Sequence, residues 1–244
     1  MAGRKKRLFD PADPAPFPLS RSKVDLFLSC PRCFYLDRRL GIARPPGFPF
    51  NLNSAVDTLL KNEFDQYRQQ GEPHPLMVEN GVDAIPFTHV DLNTWRNNFK
   101  GVRVLHEPSG FEIFGAIDDL WQDKVSGQLM VVDYKATSKN SEVSIDAPWQ
   151  ISYKRQMEFY QWLLRGRGLD ISDRGYFVYC NGDRSLPRFD AQLHFKIKLI
   201  PYDGDARWVE DTLTEARQLL VASDPPAPNE ACEFCNYARQ AHPI

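Results

Sequence analysis

Apolar positions recur at helical spacing over residues 51–70, where Leu52, Val56, Leu59, Leu60 and Phe64 would share one face of a helix. An earlier apolar run, VDLFLSC, follows Ser20 and Ser22, either of which is a suitable N-cap, and predicts a helix there. The intervening RPPGFP at residues 44–49 breaks the chain. Residues 71–90 are punctuated by Pro and Gly and show no clear period. Strand-like patterning follows. Residues 92–105 contain a candidate strand, and residues 111–121 and 129–136 flank DKVSGQ, a polar turn with Gly127, as in a β-hairpin with a loop longer than two residues. Residues 149–164 read as helix, 176–180 and 193–200 as strands, and 205–221 as helix with Trp208, Leu213, Ala216, Leu219 and Leu220 as its apolar stripe. The order predicts an α/β fold, a mixed central β-sheet flanked by helices. Residues 1–20, Pro-rich and uneven in charge, read as a mobile arm, leaving 21–244 as a single domain.

Composition is that of an ordinary globular chain, with 42% apolar and 25% charged residues among 244, which excludes a wholly disordered one. No apolar run approaches the ~18–20 residues that span a bilayer. The basic cluster near the start leads into Asp and Pro rather than an apolar segment, so no signal peptide is expected and the cytoplasm is the expected compartment. Net charge is −2, from 30 basic and 32 acidic residues. Its distribution is uneven: residues 1–44 and 150–198 carry the basic excess, and residues 45–149 and 199–244 the acidic one. A near-neutral total therefore does not exclude a nucleic-acid partner.

The strongest chemistry lies on the predicted hairpin. Asp118 and Asp119 end one apolar run, and Asp133 and Lys135 end another, LMVV. Acids at the ends of buried strands cost free energy unless they are paired or bound. Alternation sets Asp133 and Lys135 on one face and Tyr134 on the other, and a hairpin carries Asp118 across to Asp133. Two carboxylates and a backbone carbonyl form an oxygen-rich site suited to Mg²⁺ or Mn²⁺. A lysine beside it would neutralise charge developing on a phosphate. The pleat admits only one of Asp118 and Asp119 to that face.

These residues resemble the PD-(D/E)xK nuclease superfamily in its RecB-like branch, through Gly115-x-x-Asp118, Asp133-x-Lys135 and Gln156-x-x-x-Tyr160. The resemblance implies a restriction-endonuclease-like core and a deoxyribonuclease dependent on Mg²⁺ or Mn²⁺. It favours Asp118 over Asp119, makes Asp118 and Asp133 metal ligands with the Tyr134 carbonyl, and makes Lys135 catalytic. Gln156 and Tyr160, one turn apart on a helix, would hold the substrate strand and the site. The family usually carries a His on the helix before the sheet; Asp57 stands there instead, as an oxygen ligand or a sign of lost activity. The implied partner is DNA with single-stranded ends, cut by an exonuclease of repair, recombination or CRISPR-type processing, alone or within a larger helicase or integration complex. The alternative is a catalytically silent nucleic-acid-binding or adaptor module.

Of five cysteines, four form Cys30-Pro-Arg-Cys33 and Cys232-Glu-Phe-Cys235, near the two ends of the chain. Such pairs in a reducing compartment read as a metal site, either tetrahedral Zn²⁺ or an iron–sulfur cluster. The iron–sulfur subgroup of the RecB-like branch, which includes CRISPR-associated exonucleases, implies a [4Fe–4S] cluster. There the usual split is one early and three late cysteines, whereas this chain has two and two, so Zn²⁺ stays open. Either metal would clasp the N- and C-terminal segments together. Cys180 reads as core. Candidate phosphate contacts are Arg4, Lys5, Lys6, Arg7, Arg32, Arg38, Arg39, Lys154 and Arg155, and candidate stacking aromatics are Trp149, Tyr153, Phe159, Tyr160 and Trp162.

Overall fold

The computed structural model describes residues 7–47 and 50–241; Arg4, Lys5, Lys6 and Pro49 lie outside them. In chain order the elements are β1 (Phe17–Ser20), α1 (Arg21–Ser29), α2 (Pro31–Arg39), α3 (Asn51–Gln70), α4 (Pro75–Glu79), β2 (Ala84–Pro86), α5 (Leu92–Trp95), β3 (Val102–His106), β4 (Phe111–Gly115), β5 (Asp119–Asp123), β6 (Leu129–Thr137), α6 (Ile151–Gly166), β7 (Arg174–Gly182), β8 (Phe195–Asp203), α7 (Trp208–Val221) and α8 (Glu233–Ala241). They form two compact units. One is built from the stretch up to residue 48, residues 103–114, and residues 207 onward; the other from residues 49–102 and 115–206.

The first unit carries a three-stranded sheet in the order β1-β4-β3. β1 runs parallel to β4, with Phe17 beside Phe111 and Leu19 beside Ile113. Phe17 and Leu19 are buried, and Phe9 sets its ring edge-on to Phe17 at 5.3 Å. The arm read over residues 1–20 therefore ends in a strand, because alternate apolar side chains there find a partner surface that local composition does not reveal. Ser20 occupies the N-cap of α1, although its hydroxyl meets that of Ser22 at 3.0 Å and leaves the backbone uncapped. In α2, Phe34 and Tyr35 are buried. The Tyr35 hydroxyl donates toward the carbonyls of Ala222 and Ser223, both at 3.0 Å, so the early helix is tied to the segment after α7.

The second unit is a five-stranded mixed sheet, β2-β5-β6-β7-β8. β5 and β6 form the expected hairpin. Its turn is held by Asp123, which accepts from the N–H groups of Val125 and Ser126. β6 and β7 pair in parallel, which demands a crossover, and α6 supplies it. On one face of the sheet, Leu60 and Phe64 of α3 pack with Trp121, Val132, Tyr134, Val178 and Cys180, so Cys180 is a core residue. α3 spans the predicted residues 51–70 and stops at Gly71, whose φ of +70° is the left-handed conformation a glycine takes most easily. On the other face α6 comes so close that a Cβ on Gly175 of β7 would stand 2.5 Å from the Met157 sulfur and 2.8 Å from the Val131 carbonyl oxygen. Among the described residues no helix is long and apolar enough to cross a membrane.

One expected strand divides. Residues 111–121 do not run through as one element: β4 ends at Gly115 in one sheet and β5 begins at Asp119 in the other. The Gly115-x-x-Asp118 segment is thus a connection, not part of the hairpin strand. Apolar alternation alone did not show the break, because Ile117 stays fully buried within the connection.

Candidate active site and thiolate centre

The acidic residues gather where β5 begins, beside the middle of β6. Asp118 stands one position before the last paired residues, Asp119 and Val132, on the side of Asp133. Its Oδ2 accepts a 2.9 Å hydrogen bond from the backbone N–H of Tyr134. This bond fixes the carboxylate against the strand that carries Asp133 and Lys135. Asp133 is fully buried and forms an ion pair with Lys135. The Lys135 ammonium also lies 4.7 Å above the Tyr153 ring and 3.4 Å from Gln156 Oε1. Gln156 in turn donates through Nε2 to the Tyr160 hydroxyl at 3.1 Å. Asp133, Lys135, Gln156 and Tyr160 therefore form one connected set on the α6 side of the sheet. Burial, and then the Asp133 charge, push the Tyr153 hydroxyl pKa above its ordinary value.

Asp57 approaches from α3, on the opposite face. It pairs with Lys61, one turn further along, at 2.8 Å, and the same ammonium reaches Asp118 at 3.2 Å. Asp57 and Asp118 are thus bridged by a cation of the chain itself. Burial and the Asp118 charge raise the Asp57 pKa. Burial acts against the Lys61 ammonium, but Asp118 and Asp57 outweigh it and raise its pKa as well. A pocket of about 110 Å³ opens here, lined by Asn53, Val56, Asp57, Tyr134, Lys135, Ala136 and Tyr153. Asn53 closes one wall by donating to the Ala136 carbonyl at 3.1 Å.

Beneath the pocket lies a network that the motif reading missed. Asp119 is fully buried, and its Oδ1 meets Arg68 and, at 2.7 Å, Arg96. Its Oδ2 accepts from the Tyr134 hydroxyl at 2.8 Å. Arg96 also donates to the Asp118 carbonyl at 2.9 Å, and both arginines bond Asp65. Burial and the Asp119 charge hold the Tyr134 hydroxyl protonated, with its pKa well above the usual value. Asp119 is therefore committed to two guanidinium groups and a phenol, whereas Asp118 remains partly exposed. The signal in the sequence is the pair of adjacent acids itself: a fully buried second acid demands cations from elsewhere in the fold.

The oxygen donors Asp57, Asp118 and Asp133 suit a hard divalent cation by their chemistry. Both cation-bearing side chains that reach them, Lys61 and Lys135, show that the site attracts positive charge. Among the described residues the three carboxylates do not converge as tightly as the four cysteines, which form a group able to hold a metal ion.

Those cysteines belong to the first unit. Cys30 is the N-cap of α2, and its sulfur accepts from the Cys33 N–H at 3.4 Å. Cys232 immediately precedes α8, which carries Cys235. The pairs interlock crosswise: Cys30 Sγ lies 3.7 Å from Cys235 Sγ, and Cys33 Sγ lies 3.7 Å from Cys232 Sγ. All four sulfurs lie within 4.8 Å of one another, and all are free thiols in buried residues. Arg44 donates to Cys232 Sγ at 3.3 Å and lies 4.6 Å over the Phe234 ring. Burial raises the Cys33 thiol to about 12. Burial also opposes ionisation of Cys232, but the Cys235 N–H and the neighbouring thiols bring it to about 7.

Several candidate phosphate contacts have work inside the fold. Arg38 is buried against Asp37, Arg39 donates to the Phe9 carbonyl at 3.0 Å, and Arg32 to the Pro226 carbonyl at 2.7 Å. Arg7 pairs with Asp13. Lys154 pairs with Asp146 at 3.1 Å. Phe159 and Tyr160 are buried, while Trp149 is exposed.

The mixed sheet is flanked by helices, with Asp118 just before one hairpin strand and Asp133-x-Lys135 within the next. A match to the PD-(D/E)XK nuclease superfamily covers residues 50–240, so the chain belongs to that superfamily. Among solved structures it is similar to the crystal structure of SSO0001, at 15% identity and a TM-score of 0.41, over 91% of this chain and 84% of that one. That likeness is too loose to place any residue. No curated protein sequence matches the chain.

Proposed function

We propose that the chain is a metal-dependent deoxyribonuclease of the RecB-like branch. It would act as an exonuclease on DNA with single-stranded ends, in repair, recombination or CRISPR-type processing, alone or within a helicase or integration complex. The cytoplasm would keep its thiols reduced. The observation that carries this reading is the connected set of Asp133, Lys135, Gln156 and Tyr160, with Asp118 held beside it by the Tyr134 N–H. The four-cysteine clasp resembles that branch in where its cysteines stand along the chain, although there it carries a [4Fe–4S] cluster.

Asp118, Asp133, the Tyr134 carbonyl and Asp57 would hold Mg²⁺ or Mn²⁺. When bound, such an ion polarises a phosphoryl oxygen and lowers the pKa of water. The chain's own residues do the rest. The Tyr134 N–H keeps one Asp118 oxygen directed at the strand. Lys135, steadied by Gln156 and by the Tyr153 ring, presents its ammonium to the negative charge that develops on the phosphate. The Asp119 network fixes the backbone on either side of the pocket without contacting the substrate. Trp149, exposed, and Tyr153, in ring contact with it at 5.5 Å, are aromatics that would stack on an unpaired base.

The Lys61 bridge favours a second reading, a silent nucleic-acid-binding module in which the ammonium has replaced the ion. Purified protein incubated with end-labelled single- and double-stranded DNA and Mn²⁺ or Mg²⁺ decides between them. Release of short products, abolished in Asp133→Asn, is the expected result; binding without cleavage by the wild type would sink the enzyme reading.

A further inference from the structure

The geometry points to a single zinc ion held by Cys30, Cys33, Cys232 and Cys235, in place of the [4Fe–4S] cluster that the RecB-like resemblance implies. A tetrahedral zinc with Zn–S bonds of about 2.3 Å sets its sulfurs about 3.8 Å apart along each edge. The two crosswise pairs, Cys30 with Cys235 and Cys33 with Cys232, each stand at 3.7 Å. No sulfur lies more than 4.8 Å from any other. A cubane places every thiolate on its own iron, outside an iron–sulfide cage, and so spreads the four sulfurs well beyond the spacing around one ion. The cysteine quartet has no room for that cage. The residues fit one ion and do not fit the cluster.

The surroundings agree. Each pair sits at the beginning of a helix, α2 or α8, where unpaired N–H groups and the helix dipole favour thiolates. Four thiolates around a divalent ion leave two negative charges, and Arg44, donating to Cys232 Sγ, offsets part of that charge. The Cys30 and Cys232 sulfurs take backbone N–H groups from Cys33 and Cys235, two residues that are themselves ligands. The two-and-two split of the cysteines follows from this arrangement: one tetrahedron is closed by two identical Cys-x-x-Cys turns. With all four positions filled by protein, the ion has no open position for chemistry, so it is structural. The assignment stands apart from the nuclease reading, since no group of the carboxylate pocket enters it.

The test uses the full chain, produced in medium supplying both iron and zinc and purified without oxygen. Elemental analysis, acid-labile sulfide and the visible spectrum are measured together. About one zinc per chain, no sulfide and no visible absorption are expected. Iron with sulfide and broad visible absorption would restore the cluster, and a single iron, or no metal, would equally overturn the zinc assignment. Cobalt titrated into the chelator-treated chain gives a second readout that needs no variant: the intense visible bands of tetrahedral cobalt thiolate are expected, and a pale six-coordinate spectrum would count against the site. Cys235→Ser should lose the zinc, whereas Cys180→Ala, in the core of the other unit, should retain it. DNA cleavage measured on the same preparations separates the two proposals, because zinc content and nuclease activity can fail independently.

Discussion

The thiolate centre and the carboxylate pocket solve opposite problems with similar economy. Each draws its ligand atoms from segments far apart in sequence. The sulfurs are closed: four soft donors, all in buried residues and within 4.8 Å of one another, would fill every position around one ion. The carboxylates are open: Asp57 lines a pocket, Asp118 is partly exposed, and the chain supplies its own ammonium groups to hold their charge. A site meant to hold the fold fills every position, and a site meant to act leaves one for substrate. The difference also lies in support. The sulfurs rest on helix ends and one arginine, whereas the acids rest on a buried network of Asp119, Arg68, Arg96, Asp65 and Tyr134.

That contrast can be broken at several points. The largest effect is expected from Asp119→Ala, which leaves Arg68 and Arg96 buried beside an absent partner; removing one member of such a group costs about 3–5 kcal/mol. Denaturant unfolding checks it, and a loss below ~1 kcal/mol would show that the network is not a support. Next, Lys135→Ala should lower the cleavage rate about 10²–10³-fold, the scale for removing one group that stabilises transition-state charge, and should also lower the unfolding midpoint, because it leaves fully buried Asp133 without its ion pair. An unaltered rate would remove Lys135 from the chemistry.

Smaller effects sharpen the comparison. Lys61→Met deletes the internal counter-ion, and Mn²⁺ should then bind about tenfold more tightly, a gain of ~1.4 kcal/mol, by titration calorimetry. Weaker binding would mean that Lys61 organises the carboxylates rather than competing for them. The smallest shift is expected from Asp57→Asn. The folded-state pKa of Asp57 is raised, so its contribution to stability is present at acid pH and lost as pH rises through that raised value. The variant has no charge to develop there. Its melting temperature should exceed that of the wild type by about 2 °C at neutral pH, with the gap closing on acidification into the ordinary carboxylate range. A gap that widened in acid would reverse the sign of the argument.

Much of this was legible in residue order. The α3 helix spans the 51–70 window its apolar spacing predicted, and the β5–β6 hairpin, the α6 helix and the strands around residues 176–180 and 193–200 follow their periodicities. The cysteine quartet was readable because spacing and chemistry coincide in each pair. What escaped was long-range. Nothing near Arg68 or Arg96 announces Asp119, since their meeting depends on how α3 and the α5 region pack on the sheet. β1 escaped because four residues are too few to establish a period, and its strand exists only through pairing with β4, more than ninety residues on. The division of residues 111–121 between two sheets escaped because burial continues unbroken through Ile117 while the backbone changes partners. Asp57 was visible as an acid in an unusual place, but its bridge to Asp118 through Lys61 needed the fold.

The separation of 199 positions between Cys33 and Cys232 has a consequence for the newborn chain. At synthesis rates of about 5–20 residues per second, the first cysteine pair leaves the ribosome roughly 10–40 seconds before the second exists. For that interval it is an incomplete dithiol, open to oxidants and to the wrong ions. The unit it belongs to also waits for residues 207 onward, while the sheet unit has both of its segments by residue 206. The order of synthesis therefore completes the sheet with the carboxylate pocket before the sulfur quartet can close.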